Sequence, residues 1–171
     1  MTFLRRYLWV GAMGMGLVFL ALGVFFVVKG FDAKATIRAA LEDERVTTSE
    51  DAVQFGVPGG VPVVDAKTAQ AQADVIKMHS ILRWGRNTEM ARDDPNRANY
   101  ITGLTLRNAL GLAVLGFGVA DLAIGTGAVV ILLGATMIAV GVPALYWAKE
   151  AERKVVQEVS RRVTAKAPGL S

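Results

Sequence analysis

The sequence contains no cysteine and only one histidine, His79. Without thiols there is no disulfide framework, no cysteine zinc site, no cysteine nucleophile and no thiolate iron–sulfur centre. One imidazole falls short of most protein-built metal sites. There is no Gly-Lys-Ser/Thr phosphate loop after the glycines at 56–60, and no Gly-x-Ser-x-Gly elbow. Charged residues make up only 20% of the 171 residues, which excludes a disordered polyelectrolyte.

What is abundant is apolar material, 53% of the chain, with a mean hydropathy of +0.39. It is blocked rather than spread. Residues 7–28 form a run of 22 without a charge. As a helix that run is roughly 33 Å long, enough for a hydrocarbon core of ~30 Å. Arg5 and Arg6 precede it and Lys29 follows it, while Tyr7 and Trp9 suit an interfacial belt. No small-residue cleavage site closes the run, so it reads as an uncleaved anchor rather than a signal peptide.

The second block, residues 109–148, has 40 residues, of which only Asp121 is charged. As one helix it would extend roughly 60 Å, about twice a bilayer. Gly125-Thr126-Gly127 near its middle suggests a reversal. The expected fold is therefore an all-α membrane protein with three transmembrane helices, over 7–28, 104–124 and 128–148, the last two packed as a hairpin. A basic N-terminus (1–6), a polar helical segment (29–103) and a basic amphipathic tail (149–171) complete the organisation. Arg107 is expected to snorkel to a membrane surface, Pro143 to kink or bound the last span, and Tyr146 and Trp147 to close it. Small residues four apart, such as Ala12/Gly16 and Gly116/Ala120, allow close helix packing within one chain or between copies.

Residues 29–103 carry 10 basic and 11 acidic residues, close to neutral. The Ala33 to Glu44 stretch favours a helical extension of the first span. Prolines and glycines make Phe55 to Pro62 a loop. Asp65 reads as the N-cap of a helix over 66–84, and Asp93-Asp94-Pro95 as the start of another that leads into the second apolar block. In the tail, Ala151, Val155, Val159 and Val163 recur at helical spacing, and Glu150/Lys154 and Glu158/Arg162 are favourable pairs. Arg5, Arg6, Arg153, Lys154, Arg161 and Arg162 are the candidate contacts to lipid headgroups. The net charge of +4 sits beside the apolar blocks, so the expected partner is the bilayer, with another membrane protein or a second copy beside it, and not nucleic acid.

Several segments, taken together over roughly residues 1–145, resemble a family of small actinobacterial membrane proteins. They are Val46-Thr-Thr-Ser-Glu-Asp-Ala52, Ala71-Gln-Ala-Asp-Val-Ile-Lys-Met-His79, Asp94-Pro-Asn-Arg97, Leu106-Arg-Asn-Ala-Leu110 and Gly116-Phe-Gly-Val-Ala120. Members often carry the label aromatic ring-opening dioxygenase. The resemblance implies an N-terminal anchor, a helical segment outside the cytoplasm and a C-terminal membrane hairpin; the expected location is the cytoplasmic membrane. It implies no established activity. The chain departs from the pattern at the basic Arg83-Trp-Gly-Arg86, at Asp121 and in its longer charged tail. The label itself conflicts with the chemistry: a non-haem ring-opening site needs two histidines and a carboxylate, or two tyrosines and two histidines, around iron.

No catalytic, cofactor or metal constellation is therefore expected. The leading reading is a non-enzymatic accessory or scaffold component of a membrane complex. A small transporter using Asp121 to carry a proton or cation is the alternative, and an envelope-lipid enzyme using His79 a weaker one. Each residue also has a structural reading: Asp121 as an interfacial carboxylate, His79 as a partly buried hydrogen-bond donor. Three spans would set the termini on opposite sides, yet Arg5/Arg6 and the basic tail each draw their own end to the cytoplasm. The side occupied by residues 29–103 is thus open at this level.

Overall fold

A computed structural model describes the backbone of residues 2–165 and the side chains of residues 7–162. In chain order its elements are α1 (Thr2–Asp43), a 3₁₀-helix (Glu50–Phe55), α2 (Ala66–Trp84), α3 (Arg97–Thr136), a π-helical turn (Met137–Gly141) and α4 (Val142–Ala165). No strand occurs among the described residues; Thr47 and Pro62 form one isolated antiparallel bridge. The chain divides into two compact units, Met1–Phe26 with Thr126–Ser171, and Val27–Gly125.

Two helices are long and apolar enough to cross a membrane, Tyr7–Asp43 and Arg97–Arg162. The expectation of three spans is not confirmed. The reversal expected at Gly125-Thr126-Gly127 does not exist, because α3 continues through it. Glycine permits a turn but does not demand one, and in an apolar setting a helix keeps every backbone N–H and C=O satisfied where a turn would not. Gly127 serves instead as a contact surface for α1.

In the first unit, α1 lies antiparallel to the stretch beginning at Thr126. A Cβ placed on Gly16 would fall 2.6 Å from Ile138 Cγ1 and 3.1 Å from the Gly134 carbonyl oxygen. One placed on Gly23 would fall 2.6 Å from Ile131 Cγ1 and 2.7 Å from the Gly127 carbonyl oxygen. At Gly23 the neighbouring backbone occupies the space of a side chain, and at Gly16 the Ile138 side chain does, with the facing backbone just beyond it. At the end of this unit Trp9 meets Tyr146 edge to face at 6.3 Å, and the Lys149 ammonium lies 6.0 Å from the Trp9 ring centroid. The buried indole N–H of Trp9 has no acceptor among the described residues.

Pro143 bounds a helix, as expected. Lacking an N–H, it cannot donate to the turn before it, and its ring crowds the carbonyl four residues back. The ladder slips by one residue: the Val142 N–H bonds to Met137 O, five residues back, which defines the π turn.

The second unit holds the next step of the same seven-residue spacing. A Cβ on Gly30 would fall 2.5 Å from Ile124 Cγ1 and 2.8 Å from the Ala120 carbonyl oxygen. Ile37 packs on Gly116 one further step along. Here α1 extends to Asp43, as the Ala33–Glu44 composition predicts, and ends where Arg45 adopts φ 49° and the Val46 N–H caps Leu41 O.

Gly23→Leu is expected to destabilise the protein by about 1–3 kcal/mol or more through overpacking, whereas Gly14→Ala, with nothing within 4 Å of its added Cβ, is expected to be neutral or stabilising by up to ~1 kcal/mol. Thermal unfolding of the two variants in the same detergent checks the contrast.

Candidate functional site

The second unit contains the only extended segment outside the long helices among the described residues. Residues 44–96 do not behave as a linker; they fold on two small apolar clusters. Ala52, Val57, Ala71 and Val75 form one, with Val61 packed against it. Val63, Ala69, Ala73 and Leu110 form the other, joined by Leu41, Val46 and Ile76. α2 is buried on two faces at once, and its alanines explain how: small side chains let the loop approach one face and α3 the other. At Gly103 the α2–α3 approach is so close that a Cβ would fall 2.9 Å from Ser80 Oγ.

Polar groups fix the loop. Thr48 is buried; its N–H donates to Val61 O at 2.8 Å and its hydroxyl to Pro58 O at 2.7 Å. Gly60 returns an N–H to Thr48 O at 2.8 Å, with φ 70° that favours glycine. Gln72 clamps the start of the 3₁₀-helix: its Oε1 accepts from the Ser49 N–H at 2.7 Å and its Nε2 donates to Ser49 Oγ at 3.1 Å. Asp65 caps α2 as expected, accepting the Thr68 N–H at 2.7 Å in a reciprocal capping box. The Thr68 backbone N–H holds the Asp65 carboxyl below its ordinary value of 3.8; partial burial opposes this, and the Thr68 hydroxyl and nearby Lys67 assist it.

The two singled-out residues are each paired, and with different partners. His79 Nε2 lies 2.7 Å from Asp51 Oδ2, tying α2 to the 3₁₀-helix, with both side chains about half exposed. Asp121 forms an ion pair with Lys34 of α1. Asp121 is therefore not beside a turn; it is the countercharge of a lysine that sits four residues after Gly30. Among the described residues no group of three His, Cys, Asp or Glu stands together as a metal site.

Arg107 does not stand alone. With Asp74, Lys77, Gln70 and Asn108 it lines an open groove of about 580 Å³ between α2 and α3, walled by Leu112 and Leu115. Arg107 forms no ion pair among the described residues. A second, smaller groove of about 300 Å³ is apolar, lined by Phe55, Met78, Ile81 and Leu82 beside Asp74 and Lys77. Leu82 is 79% exposed and Val53 65%.

In the tail, Arg153, Lys154, Arg161 and Arg162 are exposed on α4, and Arg162 Nε donates to Glu158 at 3.0 Å as the pairing predicts. The side chains of Arg5, Arg6 and Val163 lie outside the described residues. Sequence reasoning missed Gln72, Lys34 and the groove pair Asp74/Lys77. Lys34 was findable, because Gly16, Gly23 and Gly30 repeat every seven residues and place position 34 on the same helix face.

The chain matches no family model, no curated protein and no solved structure.

Asp65→Ala is expected to cost about 1 kcal/mol by loss of the cap. Because its folded pKa is depressed, the charge-dependent part of its contribution is complete above the unfolded value of 3.8 and is lost as pH falls through the lower folded value. Denaturant unfolding between pH 6 and pH 2, roughly the span over which such a carboxylate titrates, should show that acid limb in the parent and not in Asp65→Asn. Gln72→Leu leaves the Ser49 N–H without its acceptor and should cost about 1–3 kcal/mol, read as faster proteolysis within residues 44–96.

Proposed function

We propose that the protein is a two-span integral membrane protein of the cytoplasmic membrane, and that residues 44–96 form a folded recognition cap outside the cytoplasm. In this reading it acts as a non-enzymatic accessory or scaffold component of a membrane complex. An even number of spans returns the chain to the side where it began. Arg5/Arg6 and the basic tail then no longer compete: both sit in the cytoplasm, as the excess of Lys and Arg near span ends favours. The expectation carried by the family resemblance, a helical segment outside the cytoplasm, agrees with this arrangement.

The observation that carries the scaffold reading is the apolar surface of the cap. Phe55, Met78, Ile81 and Leu82 line an open groove on a segment whose helix is far too polar to enter lipid. An exposed apolar groove on such a segment is suited to hold a protein partner. Asp74 and Lys77 at the rim suit an apolar knob flanked by polar groups of either sign. The pairing of Asp121 with Lys34 supports its structural reading over proton carriage, since the ion pair already satisfies its charge.

Because the chain has no cysteine, introduced thiols report cleanly. With a membrane-impermeant maleimide, Gln54→Cys is expected to label in intact cells and Gln157→Cys only after lysis. The opposite pattern, or equal labelling of both in intact cells, removes the topology. A stoichiometric membrane partner should be recovered with the parent and with Asn87→Asp, and lost with Leu82→Asp. Equal recovery with both variants removes the cap groove as the recognition surface.

A further inference from the structure

The second unit exposes an apolar stripe that neither the cap nor a single-chain bilayer anchor explains. On α3, Leu112, Leu115, Val119 and Leu122 are 70%, 67%, 66% and 69% exposed. Their spacing is three, four and three residues, the period of a helix-packing seam. On the opposite side of the same helix Leu110, Phe117 and Ala120 are 1–2% exposed, with Leu110 packed on Ala69 and Ala73 of α2 and Ala120 facing Gly30 of α1.

Lipid is a poor cover for the beginning of this stripe. The uncharged run of α1 stops at Val28. Gly30 meets Ala120 and Ile37 meets Gly116, so α3 residues before Ala120 lie beside the part of α1 that carries Asp32, Lys34, Arg38, Glu42 and Asp43. Charges at that density do not enter hydrocarbon. Leu112 and Leu115 also wall the groove that holds Asp74, Lys77 and Arg107, again a wet neighbourhood.

We propose that this outward face of α3 is a self-association surface, on which a second copy of the chain packs as a parallel, two-fold helix pair. Copies inserted in one membrane share one orientation, so their α3 helices run parallel and a two-fold axis lies along the membrane normal. Written as a heptad, Leu112 and Val119 take the a positions and Leu115 and Leu122 the d positions. Val119 at a with Leu115 and Leu122 at d fits a two-stranded seam at that layer. Asn108 falls on the preceding d position and is exposed. The flanking groove is self-complementary: Asp74 of one copy offers an anion to the Arg107 of the other, which has no ion pair of its own among the described residues. The four stripe residues supply roughly 100 Å² each, so a pair buries about 800 Å² before the groove rims are added. That is below the ~1,200 Å² lower bound for specific pairs in solution, so the groove rims with Asp74 and Arg107 supply the rest of the contact.

The inference rests on the membrane reading above but not on which side holds the cap. Single cysteines at Leu112, Leu115, Val119 and Leu122, with Ala39→Cys on exposed α1 as control, are oxidised with copper phenanthroline in native membranes containing the full chain. Co-expressed copies with two different tags identify the product. Leu115→Cys and Leu122→Cys are expected to give at least fivefold more mixed-tag disulfide dimer than Ala39→Cys. Adding Val119→Asp to Leu115→Cys is expected to abolish that dimer while Gln54→Cys labelling in a parallel sample stays as in the parent. Equal yields at all five positions, a maximum at Ala39, an adduct of another mass at Leu115, or dimer unaffected by Val119→Asp each overturn the proposal. Failure here with normal Gln54 labelling leaves the two-span reading standing; failure of the labelling removes that reading independently.

Discussion

The packing of α1 on its neighbour depends on hydrogen atoms where side chains would otherwise be. At Gly16, Gly23 and Gly30 the facing helix stands so near that a methyl group would overlap a carbonyl oxygen or an isoleucine. Between apolar helices there is little hydrophobic gain to be had in lipid, so van der Waals contact at such short range is the available source of affinity. The seven-residue repeat of these contacts determines which face of α1 is interior. Leu17, Val24 and Phe25 face outward, each about half exposed.

A similar economy governs residues 44–96. The segment has too few large apolar residues for a conventional core, and its buried positions are mainly alanine and valine. Order comes from polar groups that are each used more than once. Gln72 holds both the backbone and the hydroxyl of Ser49, Thr48 serves as donor and acceptor across the loop, and Asp65 with Thr68 closes a reciprocal cap. Small residues let helix and loop come close, and proximity makes those hydrogen bonds possible.

Local features of the sequence translated directly into structure. The Asp65 cap, the bounds of α2, the extension of α1 through Ala33–Glu44 and the boundary at Pro143 depend on residues within a turn of one another. What failed was non-local. Gly125-Thr126-Gly127 looks the same whether glycine is a hinge or a contact, and only the facing Gly23 decides between them. The four-residue pairs of small residues were visible, but the heptad that matters joins Gly16, Gly23 and Gly30 with positions far along the chain. Asp121 was singled out correctly as a charge needing an explanation; its explanation, Lys34, lay on the other helix. The clamp by Gln72 left no signal, since a glutamine on a mid-helix face is ordinarily solvated.

The π turn before Pro143 also sets the orientation of α4. A five-residue bond in place of a four-residue one inserts one extra residue into the turn, and each residue of an α-helix accounts for about 100° of rotation. Every side chain of α4 is thereby turned relative to the phase that the glycine-lined face of the preceding helix would have dictated. Ala151, Val155 and Val159 need not continue the internal seam, and the two valines are 62% and 57% exposed. The slip works as a phase adjuster between two parts of one long helix. It allows the tail to aim its own apolar face by a rule separate from the one that packs the helices together.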